Sequence, residues 1–148
     1  GFVIRGALSD QSATLLTCVL WFAVGQAVMV LSTLIYQKIT PYDDLSEIKE
    51  GNLAAALPIA GILVATGMIM EGAVQGGHDS FSTDAVALLQ YASASFVLVF
   101  LLRIFTDWIL LPKVSLADEI VRDKNIGAGL LEGTSFVMAA LIVGYFLN

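Results

Sequence analysis

Charged side chains inside apolar sequence are where this chain could do chemistry. Arg103 and Asp107 interrupt "FVLVFLLRIFTDWILL" (96–111), and Glu132 interrupts "NIGAGLLEGTSFVMAALIVGYFL" (125–147). A charge at the centre of a bilayer costs ~2.5–3.5 kcal/mol on insertion scales, so such residues pair with one another or mark a function. At a helical rise of ~1.5 Å per residue, Glu132 lies ~10 Å past Asn125 and Arg103 ~12 Å before Leu111. The two share one depth if both runs meet the same membrane face. Asp107 follows Arg103 by about one turn, on the same side of its helix. An acid–base–acid set at one level can be a structural ion pair that lowers the cost of burial. It can also be an ion or proton path in which Glu132 takes up and releases a proton, or a dock for another subunit's charged residue.

Other reactive types offer less. Cys18 lies alone in an apolar run, so no disulfide framework exists and a buried structural thiol is expected. His78-Asp79 is one histidine without further ligands, too little for a metal centre. There is no serine–histidine–acid set, no CxxC and no phosphate-cradling glycine loop. No enzyme, cofactor or metal is expected.

The elements that must position these charges follow from composition. Hydrophobic residues make up 57% of the 148 and charged ones 14%, with a mean hydropathy of +0.84. Soluble domains carry about 25% charged residues, so this chain cannot coat a globule with polar surface. The net charge of −6 also gives no basic face for nucleic acid. Four apolar stretches, at about 12–36, 52–76, 85–111 and 125–147, each reach the ~20 residues that cross a hydrocarbon core. Helices satisfy their own backbone in lipid, and transmembrane strands are much shorter than these runs. The expected fold is all-α, an integral membrane four-helix bundle in one domain, 1–148. Six of the seven basic residues (Lys38, Lys49, Arg103, Lys113, Arg122, Lys124) lie in or beside the first and third connections. The excess of lysine and arginine on cytoplasmic loops places those two connections inside. The opening "GFVIRGALSDQS" is expected to be neither a secretory signal, lacking a charged start and cleavage pattern, nor a myristoylation site, since Arg5 stands where serine or threonine is needed.

The connections repeat. "EIKEGN" (47–52) and "EIVRDKN" (119–125) each follow a proline and a leucine and each open an apolar run. With Asn52 set on Asn125, "NLAAALPIAG" tracks "NIGAGLLEGT"; Pro41 pairs with Pro112 and Leu45 with Leu116, with an extra residue in the second copy. This predicts two parallel helix-hairpin repeats, about 12–76 and 85–147, because each contains an even number of crossings. The prolines end the preceding helices. Leu45 and Ile48, or Leu116 and Ile120, make a stripe on a short helix that could lie at the membrane interface. Asn52 and Asn125 are placed as helix N-caps, with interhelical polar contact the rival role. Gly72 and Gly76, and Gly129 and Gly133, fit GxxxG and predict close helix packing, with the second and fourth helices at the centre. Trp21, Trp108 and most of the tyrosines, among them Tyr36 and Tyr91, suit interfacial anchoring. Gln26, Gln75 and Gln90 read as packing devices.

The repeated segment, "EIKEGNLAAAL" followed by Ala60-Gly61 and echoed in "EIVRDKNIGAGLLEG", resembles the YjfL family of small bacterial inner-membrane proteins, whose domain is of unknown function. The resemblance covers about residues 14–147. It implies a four-helix protein of the bacterial cytoplasmic (inner) membrane, with plastid membranes also possible, and it implies no catalytic residues. The function expected is a non-enzymatic structural or accessory subunit of a membrane complex or homo-oligomer, its partners the lipid bilayer and other membrane subunits. The alternative is a small ion or proton channel or transporter with a polar path at Glu132, Arg103 and Asp107. Lipid organisation by the short cytoplasmic segments is a third reading, opposed by their net negative charge.

Overall fold

A computed structural model describes residues 15–74, 81–105 and 115–147. Those residues form six helices and no strand: α1 (Leu15–Ile39), α2 (Asp44–Lys49), α3 (Leu53–Val74), α4 (Phe81–Phe105), α5 (Leu116–Val121) and α6 (Ile126–Leu147). Three of them contain segments long and apolar enough to cross a membrane, Val19–Ile39, Leu53–Ala73 and Ile126–Phe146. α4 has 25 residues, a length of ~37 Å at the usual rise. It starts at Phe81, ahead of the apolar stretch, and carries Asp84 in its first turn, where the helix dipole favours an acid.

The tightest seam runs between α3 and α6. A side chain at Gly133 would come within 2.6 Å of the Leu57 carbonyl oxygen, and side chains at Gly61 or Gly129 would collide with the backbones of Gly133 and Ala54. Without hydrophobic drive inside lipid, such close approach is what holds helices together. Pro58 lies within α3 and has no N–H to give to the Ala54 carbonyl one turn back. Gly129 packs directly over that carbonyl.

Around this pair, α1 packs on α3, and α4 packs on both α3 and α6. Trp21 of α1 lies on Met70 of α3. Tyr36 of α1 meets Phe136 of α6 edge-on at 5.4 Å, and Tyr91 of α4 packs with Ala73 and Val143. All four of these aromatics are buried. Trp21, Tyr36 and Tyr91 are therefore core residues and not the interfacial anchors expected, because small residues on α3 and α6 leave room for large rings from the flanking helices. Tyr145, by contrast, is exposed. The outward faces of α1 and α4 remain apolar, with Val30, Leu34, Val86 and Val97 all exposed.

The second short helix turns its apolar side inward. Leu116 and Ile120 of α5 pack with Ala54, Ala55 and Ala128 where α3 and α6 begin, a buried plug and not a membrane-surface stripe. α2 starts from Asp43, whose side chain caps Ser46 N, and α5 from Ser115, whose hydroxyl caps Asp118 N. The caps fix the register. Asp44, not Leu45, stands where Leu116 stands: Asp44 and Leu116 are each 1% exposed, whereas Leu45 is 49% exposed.

Candidate functional site

Both asparagines close the connection below them in one geometry. Asn52 N donates to Glu47 O at 2.9 Å, and Asn125 N to Glu119 O at 2.8 Å. Asn52 Nδ2 donates to Glu47 Oε2 at 2.8 Å and Asn125 Nδ2 to Glu119 Oε2 at 2.7 Å. Each Oδ1 accepts from the second residue of the next helix, Ala54 N at 3.1 Å and Gly127 N at 2.9 Å. The residue before each asparagine is left-handed, Gly51 at φ 81° and Lys124 at φ 48°. The two differ in that Asn52 Nδ2 also donates to Ile120 O at 2.9 Å, across 68 residues of sequence, while Asn125 Oδ1 also accepts from Ala128 N at 3.4 Å. Asn52 is buried and Asn125 exposed.

The intramembrane charges are placed unequally. Glu132 is 4% exposed on α6, one turn before Phe136. The Arg103 backbone lies in the last turn of α4, while its side chain, like all of Asp107, lies outside the described residues, as do Gly76, His78 and Trp108. Gly72 packs against the Tyr91 ring, where an added side chain would come within 2.7 Å of Cε1. It therefore accommodates an aromatic of α4 rather than another helix backbone.

What the structure gathers near Glu132 comes from α1 and the first connection. The buried Tyr36 phenol lies within electrostatic reach of Glu132, Tyr42 and Asp44, and beside the Tyr42 hydroxyl. Thr40 Oγ1, itself buried, donates to Asp44 Oδ2 at 2.7 Å. A surface depression of about 460 Å³, lined by Gln37, Lys38, Thr40, Tyr42, Asp43 and Asp44 among others, leads to this group. Two buried carboxylates on separate elements thus lie within electrostatic reach of one phenol, and one of them accepts from a hydroxyl. Among the described residues no three histidine, cysteine or acidic side chains gather to hold a metal ion. Asp44 has no signal in sequence, because an acid in a polar connection is ordinary. Only the register set by the Asp43 and Ser115 caps shows that it occupies an apolar position.

The comparisons with known proteins now bear on this fold. Residues 10–147 match the family described as Domain of Unknown Function (DUF350). The chain belongs to this family. It is 31% identical over 127 residues to the UPF0719 inner membrane protein YjfL of Escherichia coli (strain K12), covering 85% of this chain and 86% of that protein. It is 23% identical over 146 residues to the UPF0719 transmembrane protein of Aquifex aeolicus (strain VF5), covering 96% of this chain and 54% of that one. The chain therefore spans about half the length of the Aquifex relative. No solved structure matches it. The family is the one the two asparagine motifs resemble, and the chain is a membrane protein.

Proposed function

We propose that the chain is a non-enzymatic, multi-pass protein of the bacterial cytoplasmic membrane, a four-helix bundle of two parallel hairpin units. Its working part is the buried acid–phenol cluster of Asp44, Tyr42, Tyr36 and Glu132, which exchanges a proton or small cation with water at the first connection. The observation that carries this reading is a pair of carboxylates, 1% and 4% exposed, that both act electrostatically on the buried Tyr36 phenol. Ionisable groups held within a membrane protein interior are costly and mark ion or proton pathways by default. The first and third connections face the cytoplasm in this arrangement, as their lysines and arginines favour.

Proteoliposomes carrying the wild type should show pH- or cation-driven flux that falls at least tenfold in Glu132→Gln and Asp44→Asn while both variants stay folded. Flux equal to wild type in both would remove the reading.

The second reading is an accessory or homo-oligomeric subunit. It is favoured by the outward apolar faces of α1 and α4 and by connections too short to form soluble domains. The glycine seam is consumed between α3 and α6, so contacts with other subunits would use those two outer faces. Gentle extraction of the native protein, followed by its complex mass and co-purifying chains, tests this: a stoichiometric partner supports it, and a monomer counts against it.

A further inference from the structure

α1 and α4 both lean on α3 and leave between them a groove of about 280 Å³. Ala65 and Thr66 of α3, with Phe136 of α6, line its floor. Trp21, packed on Met70 with Leu88 against them, lies toward one end, and Tyr36 on Phe136 toward the other. The rims open outward, since Leu31 and Leu89 line the groove yet are 56% and 69% exposed. No charged side chain lines it among the described residues.

One atom does not suit an apolar crevice. Ser95 of α4 is 4% exposed, lines the groove, and its Oγ has no hydrogen-bond partner. Hydroxyls in apolar helices commonly return to the carbonyl one turn back, as Thr66 does to Ile62 O at 2.7 Å and Thr33 to Met29 O at 3.0 Å. Ser95 does not, and a donor buried without a partner is costly. Ser32, also buried, lines the α1 wall.

Size and depth select the occupant. The groove follows α1 only from Val28 to Ile35, ~10 Å at the helical rise, and its 280 Å³ is too small to take in a helix ~10–12 Å across. A single flat ring or hydrocarbon chain fits. Ser95 lies fourteen residues into α4, ~21 Å from its start and well inside the hydrocarbon. Phospholipid ester carbonyls stay in the interfacial layer, so they do not reach it, and a charged headgroup would find no counter-charge there. We infer that the groove binds a neutral, lipid-soluble carbonyl compound of the quinone class, with one carbonyl oxygen accepting from Ser95 Oγ.

The test is equilibrium binding of a decyl-substituted benzoquinone to the full chain in nanodiscs. The readout is quenching of Trp21, made the sole tryptophan by Trp108→Phe. Saturable quenching is expected, with affinity three- to tenfold weaker in Ser95→Ala, the loss of one hydrogen bond. Ala92→Phe, which fills the groove from α4, should abolish saturation. Native mass spectrometry should show one benzoquinone retained per chain, and decylbenzene should compete at least tenfold more weakly. Absence of saturable binding overturns the inference. So does equal binding by wild type and Ser95→Ala with equal competition by decylbenzene, which would make the groove a crevice filled by bulk lipid.

Discussion

The two connections of this chain are built alike and set differently. Each runs through a capped six-residue helix, a left-handed residue and an asparagine that binds a glutamate below and a helix N-terminus above. In the second, the buried positions of the short helix are Leu116 and Ile120, and Asn125 is exposed. In the first, the equivalent of Leu116 is Asp44, and Asn52 is buried with an additional bond to Ile120 O. The same backbone thus buries an apolar plug in one half and a carboxylate in the other. Local capping fixes the shape, and a single residue at one register position decides the environment.

Exchanging that residue should give the largest effect. Leu116→Asp places a carboxylate among Ala54, Ala55 and Ala128 and should destabilise by about 3–5 kcal/mol, as buried unpaired charge does, seen in thermal unfolding in detergent. Asp44→Leu should cost nothing or gain about 1 kcal/mol while lowering flux; a large loss of stability would show instead that Asp44 holds the fold together.

The asparagines come next. Asn52→Ala removes a cap and two further hydrogen bonds, one of them buried, and should cost about 2–3 kcal/mol, against about 1 kcal/mol for Asn125→Ala. Equal costs would mean that the Ile120 bond adds nothing. The left-handed residues should follow with opposite signs. Lys124→Gly should stabilise by about 1 kcal/mol and Gly51→Ala should destabilise by a similar amount, the strain of a side chain in that region. Two stabilising results would break the equivalence.

The smallest effect belongs to the exposed Arg122–Asp123 pair, joined by two hydrogen bonds of 3.0 and 2.9 Å. Arg122 holds the Asp123 carboxyl below its ordinary range. Any stability from the pair is present above the usual aspartate pKa and is lost as pH falls through the lowered value. Because both side chains are exposed, Asp123→Asn should leave the unfolding midpoint within error, and high salt should erase any residue of it.

The long helices are legible in the sequence because length and apolarity alone predict them. Those at 15–39, 53–74, 81–105 and 126–147 overlap the four stretches read from composition. Which side of each is buried is not legible. Helices apolar all round carry no stripe to mark the inner face, so Trp21 and Tyr91 read as interfacial although they are core. Glu132 stands out as an acid in an apolar run. The residues linked to it through Tyr36 do not, since Tyr36, Tyr42 and Asp44 sit where polar residues flank any span, and only the packing of α1 brings Tyr36 within reach of Glu132.

The bond from Asn52 to Ile120 has a meaning for how the protein is made. Asn52 leaves the ribosome 68 residues ahead of its acceptor, a delay of roughly 3–14 s at ~5–20 residues per second. Throughout that interval the first hairpin holds an amide that only Glu47 and water can satisfy. A nascent chain truncated before α5 never makes that bond, so the first connection is completed only by the second.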